Sequence, residues 1–184
     1  MSVPDLRTLK VDGGYRTILA DPPWRFNARN MNRKVASRRF DPYPTMSFEE
    51  LAAVPVAEIA APDSALFMWA IASHLDQAID LGRAWGFTYK TMAWWDKGRM
   101  SFGYWWRSEG EPLLLFTRGQ ISRSPGAGGV RQTIRAPKRE HSRKPDEQYD
   151  QIETLVADGR RIELFSRQNR PGWTSWGLET GTFR

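Results

Sequence analysis

The sequence predicts an α/β fold, an open and mainly parallel sheet with helices on both faces. Short apolar runs of strand length recur at Thr17 to Ala20, Ser64 to Ile71, Thr88 to Trp95, Pro112 to Thr117 and Arg161 to Ser166. Between them lie segments of helical periodicity about a dozen residues long, the spacing that lets parallel strands be joined by crossover helices. With 184 residues, 40% of them hydrophobic, the chain has enough apolar material for one good core and too little for a second, so a single domain over residues 1–184 is expected.

The elements follow in order. Thr17 to Ala20 is a buried strand that stops at Asp21, and Arg25 to Pro44 is a polar, basic loop. Ser47 with Glu50 three residues on forms a capping box, Met46 can staple onto Leu51, and Pro55 ends the short helix. Ser64 to Ile71 is a strand. His74 to Trp85 is a helix with Leu75, Ala78, Ile79 and Leu81 on one face, Ser73 as N-cap and Gly86 as stop. Thr88 to Trp95 completes a strand, helix, strand unit, and Pro112 to Thr117 is a further strand. Arg118 to Arg143, containing Pro-Gly-Ala-Gly-Gly and no periodicity, reads as a mobile loop. A last helix opens with Pro145 at its first position, carries Tyr149, Ile152, Leu155 and Val156 on one face, and ends at Gly159. Arg161 to Ser166 is the last clear strand.

Composition excludes several chemistries. The chain has no cysteine, so disulfides, thiolate nucleophiles and cysteine zinc sites are ruled out; with His74 and His141 alone, no metal site is expected. No stretch approaches the roughly 20 apolar residues of a membrane span, and Met1 to Lys10 lacks the apolar centre of a signal peptide. A soluble, cytoplasmic protein without a membrane partner is the expectation. A net charge of +6 and a pI near 9.9 point to a polyanionic partner, for which an anionic membrane surface would serve as well as nucleic acid. Nine tryptophans can either stack on bases or fill a core.

The chemistry concentrates in Asp21-Pro22-Pro23-Trp24. In open α/β sheets ligands bind outside the carboxyl ends of the strands, and Asp21 stands at such an end. The prolines stiffen the exit and, lacking N–H groups, leave the turn rich in acceptors. A carboxylate, the Pro22 carbonyl and the face of Trp24 make a receptor for a planar molecule bearing an NH2 group, which describes adenine. Hydrogen bonds from both N6 hydrogens to Asp21 and Pro22 would turn a delocalised, poorly nucleophilic nitrogen into an electron-rich one. Pro-Pro alone reads as a rigid turn, but the full tetrapeptide arises by chance in only about one in a few thousand chains of this length.

This motif resembles that of the adenine-N6 methyltransferase family named for the seventy-kilodalton subunit of the mRNA adenosine methyltransferase, which has phage and bacterial DNA-modifying relatives. Tyr43-Pro44-Thr45-Met46-Ser47 resembles the segment closing the family's first active-site loop. His141 to Tyr149 (HSRKPDEQY) resembles its Lys-Pro-Asp-Glu helix start, and Ile162 to Gly177 its cofactor strand and following loop. The resemblance implies a Rossmann-like methyltransferase fold with S-adenosylmethionine as methyl donor and a permuted order, the catalytic motif preceding the cofactor strand. No Gly-x-Gly-x-x-Gly turn is present; Gly126, Gly128 and Gly129 serve loop flexibility only. By resemblance, Asp21 contacts the donor, Lys144 meets its methionine carboxylate, and Arg167, Asn169 and Glu179 hold its ribose. Gln168 stands where relatives often have histidine and Leu178 where they have asparagine, which implies a weaker cofactor grip.

Two basic clusters flank this pocket in sequence: Arg25, Arg29, Arg33, Lys34, Arg38 and Arg39, then Arg118, Arg123, Arg131, Arg135, Lys138, Arg139 and Arg143. Charge runs are usually solvated faces, but two that flank a base pocket are read as phosphate contacts. Arg33, Lys34, Arg38, Arg39, Arg131, Arg135 and Arg139 are the expected substrate contacts, together with Trp24 and Tyr43. Trp69 and at least one of Trp94 and Trp95 read as core; Trp105 and Trp106 either stack on nucleic acid or pack. A non-catalytic nucleic-acid-binding scaffold is disfavoured by the intact motif, and a protein-amide methyltransferase leaves both arginine clusters without purpose. DNA is expected ahead of RNA, since no target-recognition or RNA-binding appendage is visible and the compact form resembles a phage or bacterial modifier. A small enzyme of this kind would favour easily opened sites or gain contacts as a homodimer. The sulfonium is already a good leaving group, so no metal is called for.

Overall fold

A computed structural model describes residues 4–24, 45–101, 105–139 and 143–178. Among these, seven strands form one sheet: Tyr15–Ala20 (β1), Ala60–Trp69 (β2), Thr88–Ser101 (β3), Ser108–Arg118 (β4), Thr133–Arg135 (β5), Arg161–Leu164 (β6) and Trp173–Trp176 (β7), in the spatial order β5-β3-β4-β2-β1-β6-β7. β1 is parallel to β2 and β6, β6 to β7, and β3 to β5, while β4 is antiparallel to both of its neighbours. β4 is thus the one reversed strand, and the sheet is mainly parallel as expected. It also separates β2 from β3, so the strand, helix, strand unit keeps its direction without pairing its strands.

Alternation along the strands builds a core on each side. Ile18, Ala20, Leu66, Met68, Leu114 and Phe116 face one layer, covered by the helices Phe48–Ala52 (α1), Val56–Ile59 (α2) and Leu75–Ala84 (α3). Leu19, Phe67, Trp69, Leu113 and Ile134 face the other, against Tyr149, Ile152 and Val156 at the helix Glu147–Leu155 (α4). The central strand β1 is buried on both faces, which is why its sequence reads as an unbroken apolar run.

The Ser47–Glu50 capping box is present in full. Several local expectations are corrected. Ser73 does not cap α3; its hydroxyl lies 2.9 Å from His74 Nδ1, and His74 holds the cap position after a short 3-10 turn. Pro55 does not merely stop α1 but stands at the N-cap of α2. Pro145 precedes the cap of α4 by one residue instead of opening the helix. The stretch from Arg118 to Arg143 is not one irregular loop, because it contains β5 and a 3-10 turn at Ala127–Gly129 with Ala127 buried. β5 and β7 are edge strands of three and four residues, too short to show a period in the sequence.

Gly82 shows how closely α3 approaches the sheet. A Cβ at this position would enter the Phe116 ring of β4. Glycine inside a helix costs about 0.5–1 kcal/mol relative to alanine, yet overpacking a tight core costs about 1–3 kcal/mol. Gly82→Ala is therefore expected to lower the urea unfolding midpoint despite its better helix propensity; a raised midpoint would show that propensity wins.

Candidate active site

Asp21 leaves β1 at the carboxyl edge of the sheet, its N–H donating to the Leu164 carbonyl of β6 at 3.4 Å. The two prolines then hold a tight turn. The Trp24 N–H donates to the Pro22 carbonyl at 2.9 Å, and the Met46 N–H donates to the Pro23 carbonyl at 2.8 Å, tying the motif to the residues just ahead of α1. Pro22 is thus held in a fixed direction with one lone pair still able to accept.

Lys144, just before α4, reaches across to this turn. Its Nζ lies 2.9 Å from Asp21 Oδ2 and 3.4 Å from Glu111 Oε2, and it sits over the Trp69 ring at 5.5 Å. Lys97 of β3 pairs with the other oxygen of Glu111 and lies over Trp95. Four alternating charges, Asp21, Lys144, Glu111 and Lys97, therefore line up across the carboxyl edge. Burial alone would lower the Lys144 pKa, but the charges of Asp21 and Glu111 outweigh it and hold the ammonium above its usual range. Burial would likewise raise Glu111, and the two lysines overcome it and pull its carboxyl below the ordinary value. The site keeps its charges paired at neutral pH.

A second buried cluster lies behind the exit of β6. The Tyr149 hydroxyl donates to Glu163 Oε2 at 2.9 Å, and Gln168 Nε2 donates to the Tyr149 oxygen at 2.5 Å. The Gln168 carbonyl accepts from Ser166 and Ser175 hydroxyls at 2.7 Å and 3.1 Å. Phe165, at the end of β6, adopts φ 59, a left-handed conformation uncommon for a bulky residue, and is held there between Trp85 and Trp176. The chain consequently turns sharply, with Gln168 anchored inward, Arg167 half-buried and Asn169 exposed beside it.

The expected residues divide as follows. Asp21 and Lys144 are brought into contact, and Arg167 and Asn169 follow β6. Trp24 is a correction: at 7% exposure it belongs to the core layer beneath the turn and presents no open face for a base, and its Nε1 makes no hydrogen bond among the described residues. Arg131 and Arg135 are exposed. Arg139 is instead engaged with Asp146 at 2.6 Å, and Arg118 donates to the Ala57 carbonyl. Arg33, Lys34, Arg38, Arg39, Tyr43 and Glu179 lie outside the described residues. Sequence reasoning missed Glu111, Lys97 and Glu163. A lone acid inside the apolar run Arg161 to Ser166 was the available signal for Glu163; Glu111 precedes an apolar run, which alone marks nothing.

The match of a family model now joins this geometry, since residues 15–179 fit that of MT-A70. The chain belongs to the MT-A70 family. It is 36% identical over 181 residues to the Type II methyltransferase M.MunI of a Mycoplasma species, covering 90% of this chain and 77% of that one. It is 28% identical over 196 residues to an MT-A70-like N(6)-adenosine-methyltransferase of Arabidopsis thaliana, and 29% over 187 residues to the human N(6)-adenosine-methyltransferase catalytic subunit METTL3. The chain spans only 26% and 30% of those two relatives. MT-A70 membership makes it an enzyme of the adenine-N6 methyltransferase class, with nucleic acid as its substrate. No helix among the described residues is long and apolar enough to cross a membrane.

Glu163 yields a test of the cluster behind the MT-A70 motif. Burial raises its carboxyl from 4.5 to about 7, opposed by hydrogen bonds from Tyr149 and Ser166 and reinforced by the Asp21 charge. Between those values the folded chain keeps a proton that the unfolded chain has lost, so stability falls as pH rises through the window from 4.5 to about 7. Glu163→Gln removes this term. The urea midpoint of the variant minus that of the parent is expected to increase from pH 4.5 to pH 8, and a difference independent of pH would show that Glu163 ionises in the fold without penalty.

Proposed function

We propose that the chain transfers the methyl group of S-adenosylmethionine to N6 of adenine in DNA, and that residues 1–184 act as one catalytic unit. The observation that carries this reading is the pairing of Asp21 with Lys144 at the carboxyl edge beside the rigid proline turn. The two side chains form a couple of opposite charge that complements an amino-acid zwitterion, Lys144 for a carboxylate and Asp21 for an ammonium or amide-like N–H. Arg167 and Asn169, on either side of the anchored Gln168, suit the ribose hydroxyls.

S-adenosylmethionine held there would supply an electrophilic methyl carbon, the broken C–S bond's electron pair staying on sulfur. Asp21 and the free lone pair of Pro22 accept the N6 hydrogens, holding the nitrogen lone pair toward the methyl carbon. As the new N–C bond forms, positive charge develops on N6, and the Asp21 carboxylate stabilises it. The surplus proton then departs to water. Lys144 positions rather than reacts, because its paired carboxylates keep it charged throughout.

DNA stands ahead of RNA because the chain corresponds to most of M.MunI, whereas it accounts for about a quarter of the Arabidopsis relative named for adenosine. Detection of N6-methyladenine in DNA and RNA of matched sequence tests the reading: stronger methylation of DNA supports it, and methyl groups found on cytosine or protein alone would reject it. Asp21→Asn retains an oxygen for Lys144 and removes the charge. It should lower kcat by about a hundredfold or more with folding retained, and near-parental turnover would show that the carboxylate has no such role.

Arg131 and Arg135 are proposed as phosphate contacts. Replacing both with alanine should weaken DNA binding and flatten its logarithmic salt dependence by about 0.9 for each phosphate no longer neutralised, with donor affinity unchanged. Titration at several salt concentrations reads this, and an unaltered slope would assign the phosphates elsewhere.

A further inference from the structure

The hairpin joining β3 to β4 carries side chains that the reaction above does not use. Trp105 and Trp106 are 89% and 86% exposed, on a chain that buries Trp69, Trp85 and Trp95 almost completely. Neither is therefore core packing, and neighbouring Met100 is 63% exposed as well. Trp105 sits at φ 64, in the left-handed region that bulky residues rarely occupy. Exposed apolar surface of this kind marks a contact with something outside the chain.

The position of the hairpin indicates what that is. Its base is the Lys97–Glu111 pair, and Glu111 touches Lys144, which touches Asp21. Because β3 runs parallel to β1 in direction, the chain beyond Lys97 continues outward from the same edge as the proline turn. Trp106 precedes Glu111 by five positions, at most about 17 Å of extended chain. Successive nucleotides along a strand are about 3.4 Å apart, so the tip spans about five nucleotides measured from Glu111, which Lys144 links to Asp21. Between the flanking acids Asp96 and Glu109, the span 97–108 contains Arg99 and Arg107, both exposed, and Lys97, whose charge is taken up by Glu111. Exposed Arg135, paired in register with Asp96 on the neighbouring strand, adds a cation beside it.

We infer that Trp105 and Trp106 form a stacking platform for bases that flank the target adenine in the nucleic-acid substrate. The inference rests on the nucleic-acid methyltransferase reading above. Indole faces stack on any base, so such a platform adds grip without demanding a sequence, and it is most useful where a base has been unstacked or unpaired. The exposed arginines beside the two indoles, Arg99, Arg107 and Arg135, suit a polyanion, and two copies of this chain meeting tip to tip would instead bring these like charges together.

The test uses the full chain and an oligonucleotide bearing one target adenine. Steady-state methylation, donor affinity and sedimentation are compared for the parent, for Trp105→Ala with Trp106→Ala, for the corresponding double leucine change, and for the double tyrosine change. Both residues are highly exposed, so the core is untouched by these substitutions. The expected result is a KM for nucleic acid raised about tenfold to a hundredfold by alanine and by leucine, near-parental KM with tyrosine, and unchanged donor affinity. An unchanged KM in the alanine variant overturns the inference. So does a leucine variant as good as tyrosine, or a loss of self-association that alone accounts for the defect, since these mark an apolar interface between copies. A parent chain that methylates no nucleic acid removes the underlying reading and this inference together, whereas an active parent with an insensitive tip removes only the inference.

Discussion

The contact between Asp21 and Lys144 ties the end of β1 to the start of α4 across 123 positions of sequence, and the rest of the site is arranged around it. A half-buried ion pair is weak evidence for stability, since withdrawing two charges from water offsets most of their attraction. Its value lies in what it holds ready. Asp21 needs a fixed exit, supplied by two prolines whose carbonyls are tied to Trp24 and Met46; Lys144 needs a second anion, supplied by Glu111. With Lys97 added, the charges alternate, so Lys144 and Glu111 keep their ionised forms despite their burial.

The single reversed strand makes this arrangement possible. In a sheet whose strands all ran one way, the start of β4 would lie at the amino edge, far from the proline turn. Because β4 is antiparallel to β2 and β3, its beginning lies at the carboxyl edge, and Glu111 near that beginning meets Lys144. The same reversal lets β3 and β4 join by a hairpin that leaves from the carboxyl edge, where the proline turn also lies. One topological feature thus places both an inner charge and an outer pair of tryptophans on the side where ligands bind.

What was legible in the sequence was whatever repeats or punctuates. The buried strands β1, β2, β4 and β6 declared themselves as apolar runs, and the capping box of α1 and the glycine after α3 marked helix ends. The motif Asp21 to Trp24 stood out because its residues are rare in combination. Contacts between distant positions left no such trace. Glu111 and Lys97 are ordinary charges until the hairpin brings them beside Lys144, and β5 and β7 exist because neighbouring backbone offers hydrogen bonds, not because their side chains are patterned. Trp24 was misread for a related reason. A tryptophan after a rigid turn can point either way, and only the layer formed by α1, α2 and β1 decides that it points inward.

Gln168 illustrates how a departure from family pattern acquires meaning from its surroundings. Read alone, replacing a ring by an amide suggests a weaker hold on the donor. In the fold the amide is consumed internally, donating to Tyr149, which donates to the buried Glu163, while two serine hydroxyls hold the Gln168 carbonyl. A glutamate buried in an apolar strand would be costly without such a chain of donors, and a chain turning through left-handed Phe165 would be loose without such an anchor. Each half of the cluster thus satisfies a need of the other. The outcome is a loop whose inward residue is spent on order, with half-buried Arg167 and exposed Asn169 on either side of it.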